Sequence, residues 1–250
     1  MTIDEYKESH GYVIDGTWYP RVTKIVEIKA KPALYRFYAK MDSFDAAERM
    51  KELSAKEGTL VHETVEAFLM GKNPDVDQSI YPSVKAFLEF EEMNNITVSP
   101  EFVELRLVNS AERYAGTLDA IATIGGKTGV LDIKTSQEIY RDYNLQTSAY
   151  VAALKDDIPN LETRWILRID QVQKCIKCGA LLRKKGGRLN VKTQFGNKEM
   201  WRCKHEWGKT EGVIELKEFP EWGADYQAFL GAKKLWEWEN EEILKQVGYL

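Results

Sequence analysis

Two alternating stretches, YAGTLDAIATI (114–124) and TGVLDIKTS (128–136), are separated only by a glycine-rich turn. Apolar residues at every second position make each a strand, and so short a connection makes them an antiparallel pair. This hairpin commits the chain to a sheet and carries three chemically useful side chains, Asp119, Asp132 and Lys134. Successive side chains alternate faces, so Asp132 and Lys134 share one. Where Asp119 falls depends on the turn. With Gly125–Thr128 as a four-residue loop, Ile124 pairs with Gly129 and Asp119 lies opposite Lys134. That is the expected register, and it gathers all three side chains on one surface; a five-residue loop would send Asp119 to the other face.

The GGKT at the turn resembles the end of a phosphate-cradling P-loop, but that motif needs a glycine five residues before the glycine of its Gly-Lys pair and a helix after it. Ile121 stands at the first position and a strand follows the second. A nucleotide cradle is therefore set aside.

Around the hairpin, residues 43–70 read as a helix bent near Gly58, with Gly71 after its end, and Pro82 opens a second helix. GYVIDGTWYPRVTKIVEI reads as short β structure around an Asp-Gly turn, EFVELRLVNS as a strand, and YNLQTSAYVAALK as a helix. WILRIDQVQK and TEGVIELKEF read as two arms of one hairpin, and the tail from Asp225 to Val247 as one long amphipathic helix. Helix, three strands, helix, strand is the order of an α/β fold with a mixed central sheet flanked by helices.

The chain has 250 residues and a net charge of −4, enough length for one α/β domain (1–250) carrying a small insertion. The average conceals an asymmetry: residues 174–209 hold eleven Lys and Arg against two Glu, or +9, leaving −13 elsewhere. Nucleic-acid contact is thus expected to be local. The N-terminus does not read as a signal peptide and no apolar run has membrane-spanning length, so the expected address is the cytosol, without membrane contact.

All three cysteines fall in that basic segment. Cys175 and Cys178 form C-x2-C, and Cys203 with His205 supplies a second pair. Two pairs of soft or borderline ligands suit tetrahedral, structural Zn²⁺ better than an iron–sulfur cluster, which would need a fourth cysteine. A polar segment of this size has too little apolar area to fold alone, so the metal would supply its stability. Arg183, Lys184, Lys185 and Arg188 then form a basic surface, with Phe195, Trp201 and Trp207 nearby. Those aromatics either stack on the bases of a single strand or pack around the zinc.

Two carboxylates can hold Mg²⁺ or Mn²⁺ through oxygen ligands, and a lysine beside them can orient water or stabilise charge developing on a phosphate. His62 and Glu66 stand one turn apart on a helix, as do Gln146 and Tyr150. Each pair alone equally suits an ordinary polar helix face.

In order along the chain, GTLVH (58–62), GTLD (116–119), DIK (132–134) and QTSAY (146–150) resemble the motifs of RecB-like exonucleases of the PD-(D/E)XK superfamily. WYPRVTKIVEIKAKPALYRF and AFLGAKKLWEW are similar to the phage-type members, so the resemblance spans nearly all but the cysteine segment. It implies a restriction-endonuclease-like core and a Mg²⁺- or Mn²⁺-dependent deoxyribonuclease, most readily an exonuclease on single-stranded DNA or DNA ends. His62, Asp119, Asp132 and the carbonyl of Ile133 would bind metal, and Lys134 would be the catalytic lysine. Gln146 and Tyr150 would contact the strand or brace the core, Glu104 would support the site, and Glu66 would reach a second metal. Thr135 and Ser136 would either bind a phosphate or satisfy backbone groups. A recombination or single-strand-binding protein would be a fitting partner. The rival expectation is a non-catalytic nucleic-acid-binding module that keeps the nuclease fold.

Overall fold

The computed structural model describes residues 2–194 and 196–250. Phe195, read above as an aromatic neighbour of the basic surface, lies outside the described residues.

A capped helix α1 (Ile3–His10) leads into a hairpin of β1 (Gly11–Ile14) and β2 (Thr17–Pro20), and then into short helices α2 (Val22–Val26) and α3 (Pro32–Tyr38). The expected β structure therefore ends at Pro20: VTKIV is helical, because Val22, Ile25 and Val26 at i, i+3 and i+4 bury one face together. The long α4 (Phe44–Leu69) starts at Ser43, whose side chain accepts from the Ala46 N–H, and it runs through Gly58 without a break. Gly71, at φ +72°, follows its end as expected. Helix α5 (Tyr81–Asn94) closes on left-handed Asn95.

The central sheet has seven strands and both strand directions. Strands β3 (Thr97–Asn109), β4 (Tyr114–Ile124) and β5 (Lys127–Lys134) run antiparallel in sequence, and β5 pairs parallel with β6 (Leu161–Cys175) across the crossover helix α6 (Tyr143–Leu154). Strand β9 (Trp207–Glu218) lies antiparallel along β6 from Trp165 to Cys175, the expected hairpin arms. The tail does not form one helix: α8 (Gly223–Glu239) and α9 (Glu241–Gln246) are separated at Asn240, whose Nδ2 donates to the Trp236 carbonyl. One apolar core packs α4 and α5 against the sheet around Leu131, Ile133 and Leu167. The other packs α2, α6, α8 and α9 around Tyr114, Leu118 and Phe229.

The β4–β5 turn corrects the expected register. Ile124 pairs with Lys127 and Thr123 with Thr128, so the loop is Gly125-Gly126 alone. Both glycines have positive φ, 59° and 83°, which suits the tight turn whose twist matches the strands. Asp119 consequently lies opposite Asp132 instead of Lys134. Two and four are both even, so the face is unchanged.

Between Cys175 and Trp207 the chain forms β7 (Leu181–Lys185), β8 (Arg188–Lys192) and a short helix α7 (Lys198–Arg202). This segment does not hang free. Strand β7 pairs with β6 at Gln173 and Lys174, on the edge opposite β9 and therefore the edge that β5 also uses. Running antiparallel to β6, β7 heads back toward the end of β5. Its turn, Gly186-Gly187, presses on α4: a Cβ on Gly186 would lie 2.1 Å from Ser54 Oγ. The Gly186 N–H donates to Glu57 Oε2.

Candidate active site and metal clusters

The β4–β5 ladder stops at Ala120–Leu131. Beyond it the Ile133 N–H donates to Asp119 Oδ2 at 2.5 Å, so a side chain takes the place of a backbone partner where the strands part. Asp132 is 1% exposed, and Lys134 Nζ lies 2.7 Å from each of its oxygens. The hydrogen bond goes to Oδ1; Oδ2 is buried without one. Lys134 Nζ also faces the ring of Tyr143, 5.3 Å from its centroid.

Helix α4 brings His62 and Glu66 to the same place. Their ligand atoms and that of Asp119 lie within 4.8 Å of one another, close enough to hold a metal ion. Gly58 explains how the helix comes so near, since a Cβ there would sit 2.8 Å from Thr135 Oγ1. Gly116 does the same for α6, where Tyr150 is buried and accepts a hydrogen bond from Gln146 Nε2 at 2.9 Å. Glu104 sits in β3 at φ +51°, beside the Glu66 and Asp119 carboxylates.

The electrostatics of this group run one way. Glu66, burial and Asp119 raise the Glu104 carboxyl. Burial drives Asp132 above the ordinary carboxylate range, against the pull of Lys134 and with the help of Asp119. Burial opposes charge on Lys134 and on His62, yet neighbouring carboxylates outweigh it and raise both. Every shift favours an added proton, which marks a site short of positive charge. The buried Asp132 Oδ2, which accepts no hydrogen bond and meets the Lys134 ammonium, and the cluster of His62, Glu66 and Asp119 fit a hard divalent cation.

The second cluster is Cys175, Cys178, Cys203 and His205, again with all ligand atoms within 4.8 Å. Cys175 Sγ lies 3.9 Å from Cys203 Sγ, and Cys178 Sγ lies 3.4 Å from His205 Nδ1. A tetrahedron with metal–sulfur bonds of about 2.3 Å has edges of about 3.8 Å, so this set can hold a metal ion. The backbone is folded for it: the Gly179 N–H donates to the Cys175 carbonyl, the Cys175 N–H to Ala180, and Gly179 has φ +76°. Trp207 packs on His205 with ring centroids 4.6 Å apart, while Trp201 is 74% exposed. Of the two expected roles for these aromatics, Trp207 takes the packing one.

The basic residues divide by strand face. Arg183 and Lys185 point toward the end of β5: Arg183 Nη2 and Lys185 Nζ both donate to the Thr135 carbonyl, at 2.8 and 2.6 Å. Lys184, between them, is exposed on the other side. Asp170, 7% exposed, fixes Arg183 through its Nε at 2.6 Å and also accepts from Arg168. Burial and the Arg183 charge lower the Lys185 ammonium to about 8, against the pull of Asp170 and Glu57. Ser136 Oγ donates to the Glu138 carbonyl, so of the two expected roles Ser136 takes the backbone one.

A cleft of about 870 Å³ opens from this point between the α2–α3 segment and the β7–β8 hairpin. Sequence reading missed its far wall, Lys29, Lys31 and Arg36, although KAKPALYRFYAK (29–40) carries four cations and no acid. It also missed Tyr143 and Asp170, which no local pattern marks.

Neither a protein-family model nor a curated protein sequence matches this chain. No helix among the described residues is long and apolar enough to cross a membrane.

Proposed function

We propose that the protein is a metal-dependent deoxyribonuclease that hydrolyses phosphodiester bonds in single-stranded DNA or at DNA ends, on a RecB-like PD-(D/E)XK core. The observation that carries this reading is the convergence of Asp119, Asp132, Lys134 and His62 at the point where β4 and β5 part. Mg²⁺ or Mn²⁺ held by His62, Asp119, Asp132 and the Ile133 carbonyl would neutralise phosphate charge and lower the pKa of a bound water. Lys134, half-buried and held cationic by Asp132, is placed to orient the attacking water or to offset charge developing on the phosphate. Asp119 holds the Asp132–Ile133 peptide through the Ile133 N–H, and so steadies the backbone from which the Ile133 carbonyl projects. Glu66 and Glu104 add negative charge, which favours a second cation beside the first. Tyr150 and Gln146 brace the floor beneath β4.

The Cys3His cluster is proposed to hold Zn²⁺ in a structural role, with four protein ligands and no open position. The test of the catalytic reading is an end-labelled time course on single-stranded, blunt and overhanging DNA with Mg²⁺ or Mn²⁺. Cutting that vanishes in Asp132→Ala and Lys134→Ala is the expected result; intact DNA throughout, with no Mn²⁺ bound, would sink the proposal. The competing reading, a non-catalytic binding module, is disfavoured by the His62, Asp119, Asp132 and Lys134 set, because strand binding alone has no use for all four together.

A further inference from the structure

Strands β5 and β7 approach each other end to end along one edge of β6, and the gap between them is where the candidate site lies. What fills that gap is unusual in its charge. Two cations, Arg183 and Lys185, converge on a single neutral acceptor, the Thr135 carbonyl. Arg183 is shared with one buried carboxylate, Asp170, which Arg168 also uses. Lys185 has no ion pair among the described residues. A carbonyl offers two lone pairs and no charge, so this pair is placed for an anion that protein groups do not provide. Gly58 leaves the approach open, since even a Cβ there would come within 3.6 Å of Lys185 Nζ.

The cleft continues this charge outward. Lys31, Arg36 and Arg141 line it without an ion pair among the described residues, and Arg188 reaches across from the β7–β8 turn to stack on Phe37, 5.1 Å from its ring centroid. The walls thus combine cations at several depths with the aromatic faces of Phe37, Tyr140 and Tyr143. That combination suits a flexible polyanion whose bases can stack, which describes a single nucleic-acid strand.

We infer that this cleft is a binding site for the backbone of one nucleic-acid strand, and that Arg183 and Lys185 at its inner end form a clamp for a phosphate adjoining the candidate cleavage site. The inference rests on the nuclease reading for the word cleavage, but the clamp itself is a matter of binding. It also separates residues that charge alone would group: Arg183 and Lys185 belong to the clamp, and Lys184 does not.

The test is fluorescence anisotropy of a labelled oligo-dT and of a blunt duplex on the zinc-loaded full chain, without added Mg²⁺ or Mn²⁺. Arg183→Gln with Lys185→Gln is expected to weaken oligo-dT binding by about ten-fold or more and to flatten the salt slope by roughly 1.4, near 0.7 per lost contact. Lys184→Gln is expected to change it less than two-fold, and Arg36→Gln, on the exposed far wall, to weaken it several-fold without touching the hairpin. Equal losses for Lys184→Gln and the clamp variants would overturn the inference, as would a parallel loss on the duplex. Wild-type hydrolysis of bis(p-nitrophenyl) phosphate with Mn²⁺, a diester too small to need the cleft, reports on the catalytic reading separately. Absent hydrolysis with clamp-dependent strand binding would remove the catalytic reading and leave the clamp standing.

Discussion

Gly116 and Tyr150 share a space that admits no further carbon: a Cβ on Gly116 would lie 2.6 Å from Tyr150 Cε1. The backbone of β4 therefore rests directly on the tyrosine ring, three residues before Asp119. Gly116→Ala is expected to push the ring and strand apart, at a cost of about 1–3 kcal/mol. Denaturant unfolding would measure the loss. Tyr150→Phe, which removes only the oxygen that Gln146 Nε2 reaches, is expected to cost less.

Asp132 makes a prediction about pH. Its folded carboxyl titrates above the ordinary range, so the group contributes most to stability below its unfolded pKa and loses that contribution as pH rises through the folded one. In metal-free protein, Asp132→Asn is expected to raise the melting temperature at neutral pH and to flatten its fall between mildly acidic and neutral conditions. Mn²⁺ should reverse the order: saturating wild type at about 100 times Kd adds roughly 2.7 kcal/mol, and the variant gains little. Calorimetric scans with and without Mn²⁺ decide it.

Lys134→Met separates chemistry from binding. Loss of a charge that stabilises the transition state should abolish cutting, while Mn²⁺ affinity, set by His62, Asp119 and Asp132, persists or tightens. Isothermal titration of Mn²⁺ into the variant is the check; a lost metal site would assign Lys134 a structural role instead.

The parts of this molecule that were legible from residues alone are those with a short repeat. Period-two alternation identified β4, β5 and the β6–β9 arms, and the bounds of α4 near Ser43 and before Gly71 were readable too. Turn length was not, because GGKT permits either two or four loop residues, and the left-handed preference of consecutive glycines decides for two. The tail keeps its apolar period across Asn240, so the break there leaves no pattern to read. Helix α1 was overlooked despite a capping box between Thr2 and Glu5. The cleft was illegible for another reason: its walls come from residues 23–54, 136–146 and 183–190, and only the path of β7 along β6 brings them together.

Zinc makes the fourth prediction. About one equivalent should copurify, and Cys203→Ser should lose it. Hydrogen exchange is expected to rise across β7 and β8 and to stay low in β4 and β5, since the first pair depends on the cluster and the second on the central core. Uniform exchange across the whole sheet would contradict a lobe-specific role for the metal.

Lys185 sets function against stability. Its ammonium titrates near 8, well under the free value, so at neutral pH the folded chain carries a charge that burial disfavours. Lys185→Met is expected to raise the melting temperature by ~2–4 °C, about 1 kcal/mol for a chain of this size, while weakening strand binding. Differential scanning calorimetry beside anisotropy would show whether both changes occur together.

Cys175 and Trp207 stand opposite each other in the β6–β9 ladder, so the 31 residues between them leave and re-enter the sheet at one rung. Everything the lobe contributes is spliced in at that single point. Replacing residues 176–206 with a tight turn would leave an ordinary hairpin, the two cores and the carboxylate cluster, while deleting most of the cysteine–histidine cluster and the cations of the β7–β8 wall. On the proposed reading, grip and chemistry meet at this seam: the lobe can be exchanged at one rung, and through the Thr135 carbonyl, which would lose its Arg183 and Lys185 donors, the exchange reaches the residues that would cut.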